Sequence, residues 1–388
     1  MAKISEYPPP LGDRRITALD IARLFGMVLV YYGHAIEQVM YLGNETAAMQ
    51  YKFIYSFHMP FFFLVAGYVA KPEKLELKAP AFFKRLAASR LVPYFFFSLV
   101  FLGLSLVIPG TFVLSDLTSL QGYMAGIART LLGIPVYNIP MWFLASLVSV
   151  EVLHYLVGRH LRTDASIIVA ALGFYIFGYY LNLDFQFIQF DKIFQWNYWF
   201  IHQAPVGYAF YLVGVLLRRG GAFYENTRPK ESGKRSWRIL AGAVACLAVV
   251  WLTYNLNSGP FRYFDAVVFM LSGHGNVFWF PFTALAGSMM LLLFARASGE
   301  NRILAFLGRN VLILFILNGV FYHFINMHFA AWVTENLPAN PLVLTLSTAV
   351  FTVGCLAACL PLVWLLNKFI PQMVGRPQLS GPLLPRLI

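Results

Sequence analysis

The run Thr17-Ala18-Leu19-Asp20-Ile21-Ala22-Arg23-Leu24-Phe25-Gly26-Met27-Val28-Leu29-Val30-Tyr31-Tyr32-Gly33-His34-Ala35-Ile36-Glu37-Gln38-Val39-Met40-Tyr41 decides how this chain must be read. It exceeds the roughly 20 apolar residues that an α-helix needs to cross a bilayer. It nevertheless carries Asp20, Arg23, His34 and Glu37. The rest of the chain has the same apolar character. Of 388 residues, 59% are hydrophobic, 17% aromatic and only 12% charged, the last about half the share of a soluble domain. This excludes a disordered, collagenous or disulfide-built chain and an ordinary soluble enzyme. Apolar runs occur at roughly 17–41, 51–70, 90–109, 140–158, 165–181, 198–217, 238–255, 275–295, 309–329 and 342–366. The expected fold is therefore all-α: a polytopic membrane protein of about ten transmembrane helices. The Gly- and Pro-broken segment 110–139 reads as interfacial or re-entrant.

The net charge of +12 comes from 29 Lys and Arg against 17 Asp and Glu. In a soluble chain this excess would suggest a polyanionic partner. Here the basic residues alternate with the spans. With the N-terminus inside, 24 of the 29 fall in cytoplasmic segments, and the outer loops hold only Arg129, Lys192 and Arg262. That asymmetry predicts both termini in the cytoplasm. Residues 1–16 form a cytoplasmic N-terminal segment, 17–370 the membrane domain, and 371–388 a Pro/Gly-rich cytoplasmic tail expected to be irregular. The first apolar run is too long for the h-region of a signal peptide, so it is expected to stay as the first helix. No nucleic-acid module is visible. Cys246, Cys355 and Cys359 lie in predicted spans with no metal-ligand spacing, so no metal is expected.

Ionisable groups within spans are functional candidates. Arg23 and His34 are 11 positions apart, which puts them about 20° apart around a helix and about 16 Å apart along it. Asp20 lies one turn before Arg23 and Glu37 one turn after His34. Met27 and Tyr31 fill the turns between. An Arg near the cytoplasmic end suits phosphate, and a His deeper on the same face suits proton transfer. The gap matches the reach of an extended pantetheine arm, so acyl-coenzyme A is a fitting donor. The spacing alone leaves another reading open: Arg23 snorkels to the interface and His34 is a satisfied core histidine. On the second apolar run, Ser56-Phe57-His58-Met59-Pro60-Phe61-Phe62-Phe63 places His58 at a depth similar to that of His34. Pro60 is expected to free a carbonyl near His58 and to kink the helix.

These residues carry a resemblance. Leu19-Asp20-Ile21-Ala22-Arg23, the Gly33-His34 pair, the block Ser56 to Phe63 and the following Ala66-Gly67-Tyr68 resemble the membrane acyltransferase-3 family. Its sugar O-acetylase branch, similar to fucose 4-O-acetylases, fits best. Phe83-Lys84-Arg85-Leu86 through Leu91-Val92-Pro93-Tyr94 resembles the family's basic loop, and Met141-Trp142-Phe143-Leu144 the start of a middle helix. The resemblance implies a bacterial inner-membrane O-acyltransferase. It would move an acyl group, expected to be acetyl, from acyl-coenzyme A to a sugar hydroxyl of a glycan or lipid-linked precursor. His34 would be the catalytic base or acyl carrier, with His58 orienting or stabilising charge. Arg23 would be the donor-phosphate contact, with Asp20 and Arg85 beside the donor. Glu37, Trp142 and His202 are the acceptor-side candidates. One departure stands out: in Leu307-Gly308-Arg309-Asn310 followed by Phe315-Ile316-Leu317-Asn318, Asn318 occupies a place where the family often has His. This puts a role for that helix in doubt.

The rival reading is a transporter or flippase that uses the Arg23/His34 stripe for ion coupling. Elsewhere, Glu151 and His154 at i,i+3 are expected to pair. His274, His323 and His328 are expected at wet span ends, and Trp196, Trp199 and Trp279 as aromatic-belt anchors.

Overall fold

The computed structural model describes residues 16–183, 197–222, 233–261, 264–299 and 301–388. Lys3, Arg14, Arg15, Lys192, Trp196, Arg228, Lys230 and Arg262 lie outside the described residues, as does the 1–16 segment except Ile16. The chain forms α1 (Thr17–Tyr41), α2 (Glu45–Tyr55), α3 (His58–Tyr68), α4 (Ala79–Leu86), α5 (Val92–Val107), α6 (Leu120–Leu131), α7 (Trp142–Val157) and α8 (Asp164–Leu183). It continues as α9 (Ala204–Arg219), α10 (Gly233–Thr253), α11 (Trp279–Ala297), α12 (Arg302–Arg309), α13 (Val311–Phe324), α14 (Asn326–Asn336) and α15 (Pro341–Phe369). Among the described residues there is no strand, only an isolated bridge between Val268 and Gly273.

Seven helical stretches are long and apolar enough to cross a membrane: Thr17–Tyr41, Ala79–Val107, Ile139–His160, Asp164–Leu183, Tyr198–Arg219, Trp279–Ala297 and Pro341–Phe369. An eighth arises if α12 and α13, bent by 71° at Asn310, make one crossing. The other two expected spans fall on shorter pieces. The run 51–70 is divided between α2 and α3, and 238–255 falls on α10, whose described apolar part is Trp237–Thr253. The segment 110–139 contains α6, a 12-residue helix with a partly exposed surface.

The break between α2 and α3 is sharper than a kink. Phe57 adopts φ −144° and ψ −22°, which ends one helix and starts another. Pro60 then sits in the first turn of α3, where an amide hydrogen would have had no helical partner. Pro93 is accommodated differently. The preceding residues Ala87–Leu91 widen into a π-helical turn, which relieves the clash between a proline ring and the carbonyl four residues back.

Close helix crossings rest on glycine. A Cβ on Gly67 would lie 1.8 Å from the Tyr211 carbonyl oxygen, and one on Gly214 would lie 1.9 Å from that of Leu64. These reciprocal contacts bring α3 and α9 together backbone to backbone, the packing that small residues permit between membrane helices. A Cβ on Gly308 would lie 1.8 Å from the Asp20 carbonyl oxygen, so α12 is seated directly on the first turn of α1. The tail after α15 is not loose. Gln372 is buried and donates to the carbonyls of Leu384 (2.6 Å) and Pro385 (3.1 Å), folding the last residues back on the chain.

Candidate active site

α1 runs through the centre of the bundle, packed against α2, α3 and α11 to α15. Its polar residues do not share one environment. At its first turn, Arg23 Nη1 contacts Asp20 Oδ1 at 3.1 Å, with Asp20 buried and Arg23 partly exposed. This is a local i,i+3 pair. One to two turns on, Met27 and Tyr31 are both buried. The Tyr31 hydroxyl donates to the Leu314 carbonyl at 2.6 Å and touches Cys359 Sγ at 3.4 Å, tying α1 to α13 and α15.

His34 follows on the same face. Its Nδ1 lies 2.6 Å from Asn318 Oδ1 on α13, and the Tyr322 ring meets the imidazole edge-on at 4.9 Å. With an amide oxygen as acceptor, Nδ1 carries the proton and Nε2 presents its lone pair. Nε2 makes no hydrogen bond to the described residues, and His34 is half-buried rather than sealed. Asn318 itself is fully buried. The residue at which the sequence departs from the resemblance is therefore the direct partner of His34, and α13 borders the candidate site.

His58 is arranged similarly. At the break the Ile54 carbonyl is turned out of the helical ladder and accepts from the C-cap Ser56 N–H and, at 3.3 Å, from Phe57 N–H. The His58 Nδ1–H also reaches this carbonyl, at 3.0 Å. The Pro60 region thus does bring a carbonyl to His58, but that carbonyl belongs to Ile54. His58 Nε2 also makes no hydrogen bond to the described residues. Tyr55 meets this ring edge-on at 4.6 Å, and its hydroxyl donates to Glu37 Oε2 at 3.1 Å. Tyr41 donates to Glu37 Oε1 at 2.6 Å. Tyr51 stacks on Tyr55 at 3.7 Å, and the Tyr55 ring covers Gly33, whose Cβ would stand 3.1 Å from it. Two imidazoles, a carboxylate held by two phenols, and a tyrosine-lined wall thus gather where α1, α2, α3 and α13 meet.

The other expected residues are placed elsewhere. Arg85 is exposed on α4, near Lys74. Trp142 is buried among aromatic rings, with Phe200 at 5.8 Å and Phe269 at 6.2 Å. The His202 backbone is fixed by Asn197 and Asn182. Among the described residues, no hydrogen bond or ring contact joins Arg85 or Trp142 to His34, His58 or Glu37. Glu151 does not pair with His154. It accepts two bonds from Arg90, at 2.7 and 3.1 Å, while His154 Nδ1 lies 3.2 Å from the Tyr208 hydroxyl. Two guanidinium N–H groups on one oxygen give a partly buried carboxylate more than an imidazole one turn away does. His274 and His323 are buried rather than wet, and only His328 is exposed. His323 Nδ1–H donates to the Thr111 carbonyl at 2.7 Å, its Nε2 accepts from Ile139 N–H at 3.1 Å, and Phe112 stacks on it at 4.5 Å. Both its nitrogens are engaged, so it is a structural pin. Trp199 is packed against Tyr94 and Phe95. No group of three or more His, Cys, Asp or Glu among the described residues forms a metal-binding set.

A bundle of membrane-length helices around a histidine whose ring is held by an amide oxygen defines a class: helical membrane proteins equipped for proton or group transfer. The family can be given directly. The sequence model of the acyltransferase-3 family, described as an acyltransferase domain, matches residues 16–367, and the chain belongs to that family. Its general activity is therefore acyl transfer within the membrane. No curated protein and no solved structure matches the chain.

Proposed function

We propose that the protein is an O-acyltransferase that uses His34 to activate a sugar hydroxyl and draws its acyl group, expected to be acetyl, from acyl-coenzyme A. The observation that carries this reading is the 2.6 Å contact of His34 Nδ1 with Asn318 Oδ1, which leaves Nε2 unbonded. A base oriented through its far nitrogen is the arrangement that general-base catalysis requires. In the step, Nε2 takes the proton of the acceptor hydroxyl, whose oxygen attacks the thioester carbonyl. The carbon–sulfur bond breaks, and the leaving thiolate takes the proton back from the His34 imidazolium, which restores the base. An acyl-imidazole route would use the same nitrogen as nucleophile.

Roles follow from placement. Arg23, partnered by Asp20 about 16 Å along α1 from His34, is the proposed contact for the donor phosphates, with exposed Arg85 as a second. Met27 and Tyr31 are buried in the intervening turns, so an acyl arm on this face requires their side chains to give way. His58 is proposed to orient the acceptor or to steady charge as the tetrahedral intermediate forms. Glu37, Tyr41 and Tyr55 are proposed to bind acceptor hydroxyls. The distribution of basic residues favours ten crossings, with both termini and Arg23 on the cytoplasmic side of a bacterial inner membrane. A glycan or lipid-linked sugar is the proposed acceptor, in keeping with the resemblance to the sugar O-acetylase branch.

The test is to incubate purified protein with radiolabelled acetyl-coenzyme A and sugar acceptors, comparing wild type with His34→Ala. Transfer by the wild type and its loss in the variant are expected. Background rates for both, with sugar flux across liposomes persisting, would favour the transporter reading instead. Burst-phase labelling of the protein itself would separate an acyl-enzyme from direct transfer.

A further inference from the structure

Acyl transfer at His34 develops negative charge on the thioester carbonyl oxygen, and that charge calls for a hydrogen-bond donor. The side chains described so far are rich in acceptors and poor in donors. His34 and His58 each commit Nδ1–H to a protein oxygen, Asn318 Oδ1 at 2.6 Å and the Ile54 carbonyl at 3.0 Å. Each then presents Nε2 as a lone pair, which accepts a proton and has none to donate. Tyr41 and Tyr55 give their hydroxyl hydrogens to Glu37, and Ser56 gives its own to the Phe53 carbonyl at 2.7 Å. Asn318 Nδ2 has no partner among the described residues, but it is sealed within the packing.

Tyr322 supplies what the others lack. It follows Asn318 by four positions on α13, so both project from one face of that helix, about one turn apart. The Tyr322 ring lies 4.9 Å from the His34 imidazole between centroids, with the two planes 68° apart. Tyr322 is half-buried, and its hydroxyl makes no hydrogen bond to the described residues yet reaches accessible space. Phenols packed into a protein usually find a partner. Tyr31, Tyr94, Tyr137 and Tyr175 each donate to a carbonyl, so an open phenol beside the base is available for a partner of its own. Tyr51, the remaining phenol of the wall, packs on Tyr55 and Phe264 and makes no ring contact with either imidazole.

The helix that carries Tyr322 is held on several sides. Tyr31 donates to its Leu314 carbonyl at 2.6 Å, and Asn138 Nδ2 donates to its Ile316 carbonyl at 3.1 Å. His323, the next residue, bonds Thr111 and Ile139 through its two ring nitrogens. A donor carried on a helix fixed in this way needs no rearrangement as charge develops, which is the condition for strong oxyanion stabilisation.

We propose that Tyr322 is the oxyanion donor of the transfer reaction, its O–H hydrogen-bonding the thioester carbonyl oxygen and the tetrahedral oxyanion formed from it. This rests on the reading of His34 as the base. His34 Nε2 takes the acceptor's proton, the acceptor oxygen bonds to the carbonyl carbon, and the carbonyl electron pair moves onto the oxygen that faces Tyr322. The pair returns as the carbon–sulfur bond breaks, and the thiolate takes the proton from His34. The phenol keeps its own proton throughout. His58, which accepts through Nε2, is left the role of orienting the acceptor hydroxyl.

The experiment compares wild type, His34→Ala and Tyr322→Phe as full-length protein in detergent, with acetyl-coenzyme A and the sugar acceptor. Tyr322→Phe keeps the ring against His34 and removes a hydroxyl that has no protein partner, so the melting temperature should hold. Its kcat should fall about 10²- to 10³-fold, the loss for one oxyanion donor, with the KM values for donor and acceptor unchanged. A lower melting temperature with kcat spared would make Tyr322 structural, and a raised acceptor KM alone would make it an acceptor contact; either result overturns the assignment. Wild-type kcat in Tyr322→Phe with His34→Ala inactive overturns it too but leaves the base in place, whereas an active His34→Ala removes base and assignment together. Infrared difference spectra of bound acetyl-coenzyme A, isotope-labelled at the thioester carbonyl, give a readout that does not depend on turnover. The carbonyl band should lie at lower frequency in wild type than in Tyr322→Phe, and equal band positions overturn the proposal.

Discussion

Replacing Asn318 by Ala removes one hydrogen bond, and its effect follows from the geometry. Asn318 is buried, and its Oδ1 accepts from His34 Nδ1 at 2.6 Å. In the resting enzyme this is a neutral bond with a net contribution of about 1 kcal/mol. As Nε2 takes the acceptor's proton, the ring becomes cationic and the same bond strengthens to about 1.5–3 kcal/mol, the range for bonds to charged groups. Each 1.36 kcal/mol of barrier is tenfold in rate, so the difference predicts a fall in kcat of about 2- to 30-fold, with some further loss from ring disorder. The KM for acyl-coenzyme A should hold, because Arg23 lies about 16 Å away along α1. His34→Ala should lose more, about 10²- to 10⁴-fold, the range for losing a general base. The assay is transfer of radiolabel from acetyl-coenzyme A under saturating donor, with melting temperature in detergent as a folding control. Wild-type kcat in a folded Asn318→Ala protein, with His34→Ala inactive, would refute the view that the amide orients the base.

Four other outcomes follow. His323→Ala should destabilise by about 1–3 kcal/mol for two lost hydrogen bonds, read as a lower melting temperature, while the folded fraction keeps its kcat; a selective loss of kcat would show that His323 takes part in the chemistry. Tyr55→Phe keeps the ring beside His58 but removes the hydroxyl from Glu37, so the acceptor KM should rise several-fold with the donor KM unchanged; the reverse pattern would move Glu37 to the donor side. Glu151→Gln leaves the partly buried Arg90 without its carboxylate and should destabilise by about 3 kcal/mol; the double variant with Arg90→Met should recover part of that, as a thermal melt can check. Gly308→Val places side-chain atoms on the Asp20 backbone and should cost at least about 1–3 kcal/mol through overpacking; a wild-type melting curve would contradict the seating of α12 on α1.

What the sequence made legible is the part of the site that lies on one helix. The Asp20–Arg23 pair and the shared face of Arg23 and His34 follow from helical periodicity. Membrane-length apolar runs show equally well, because a bilayer sets a minimum length. Partners across the fold were not legible. Asn318 stands 284 positions from His34, and in sequence it looked like a lost histidine rather than a retained ligand. Its signal was there all the same, since a buried amide in Phe315-Ile316-Leu317-Asn318 needs a partner within the bundle. Glu151 misled for a related reason: His154 is its nearest polar neighbour in sequence, but Arg90 arrives from 61 positions away with two N–H groups. His323 read as a wet span end because nothing local shows that Thr111 and Phe112 fold over it. The division of the second span between α2 and α3 was visible only as a kink at Pro60. The break itself lies at Phe57, where the Ile54 carbonyl exchanges a helical amide for the His58 imidazole.

The manner in which each polar group is held also bears on the choice between enzyme and transporter. Ion coupling asks a buried ionisable group to change partners as access alternates between the two sides of the membrane. Arg23 and Asp20 are an i,i+3 pair on a single helix, so a rigid-body movement of that helix carries both and breaks no bond between them. Glu37 is clasped by Tyr41 of its own helix and Tyr55 of the next. His34 and His58 differ from these. Each is fixed through Nδ1, by Asn318 and Ile54, and each leaves Nε2 without a protein partner among the described residues. Fixed rings with an open reactive nitrogen favour chemistry at a set position, because orientation is retained while the proton moves. A double substitution makes the distinction measurable. If His58→Ala and His34→Ala together cost no more than His34→Ala alone, the two imidazoles act in one catalytic step; if their costs add, they serve separate events, and the pairing argued from their geometry fails.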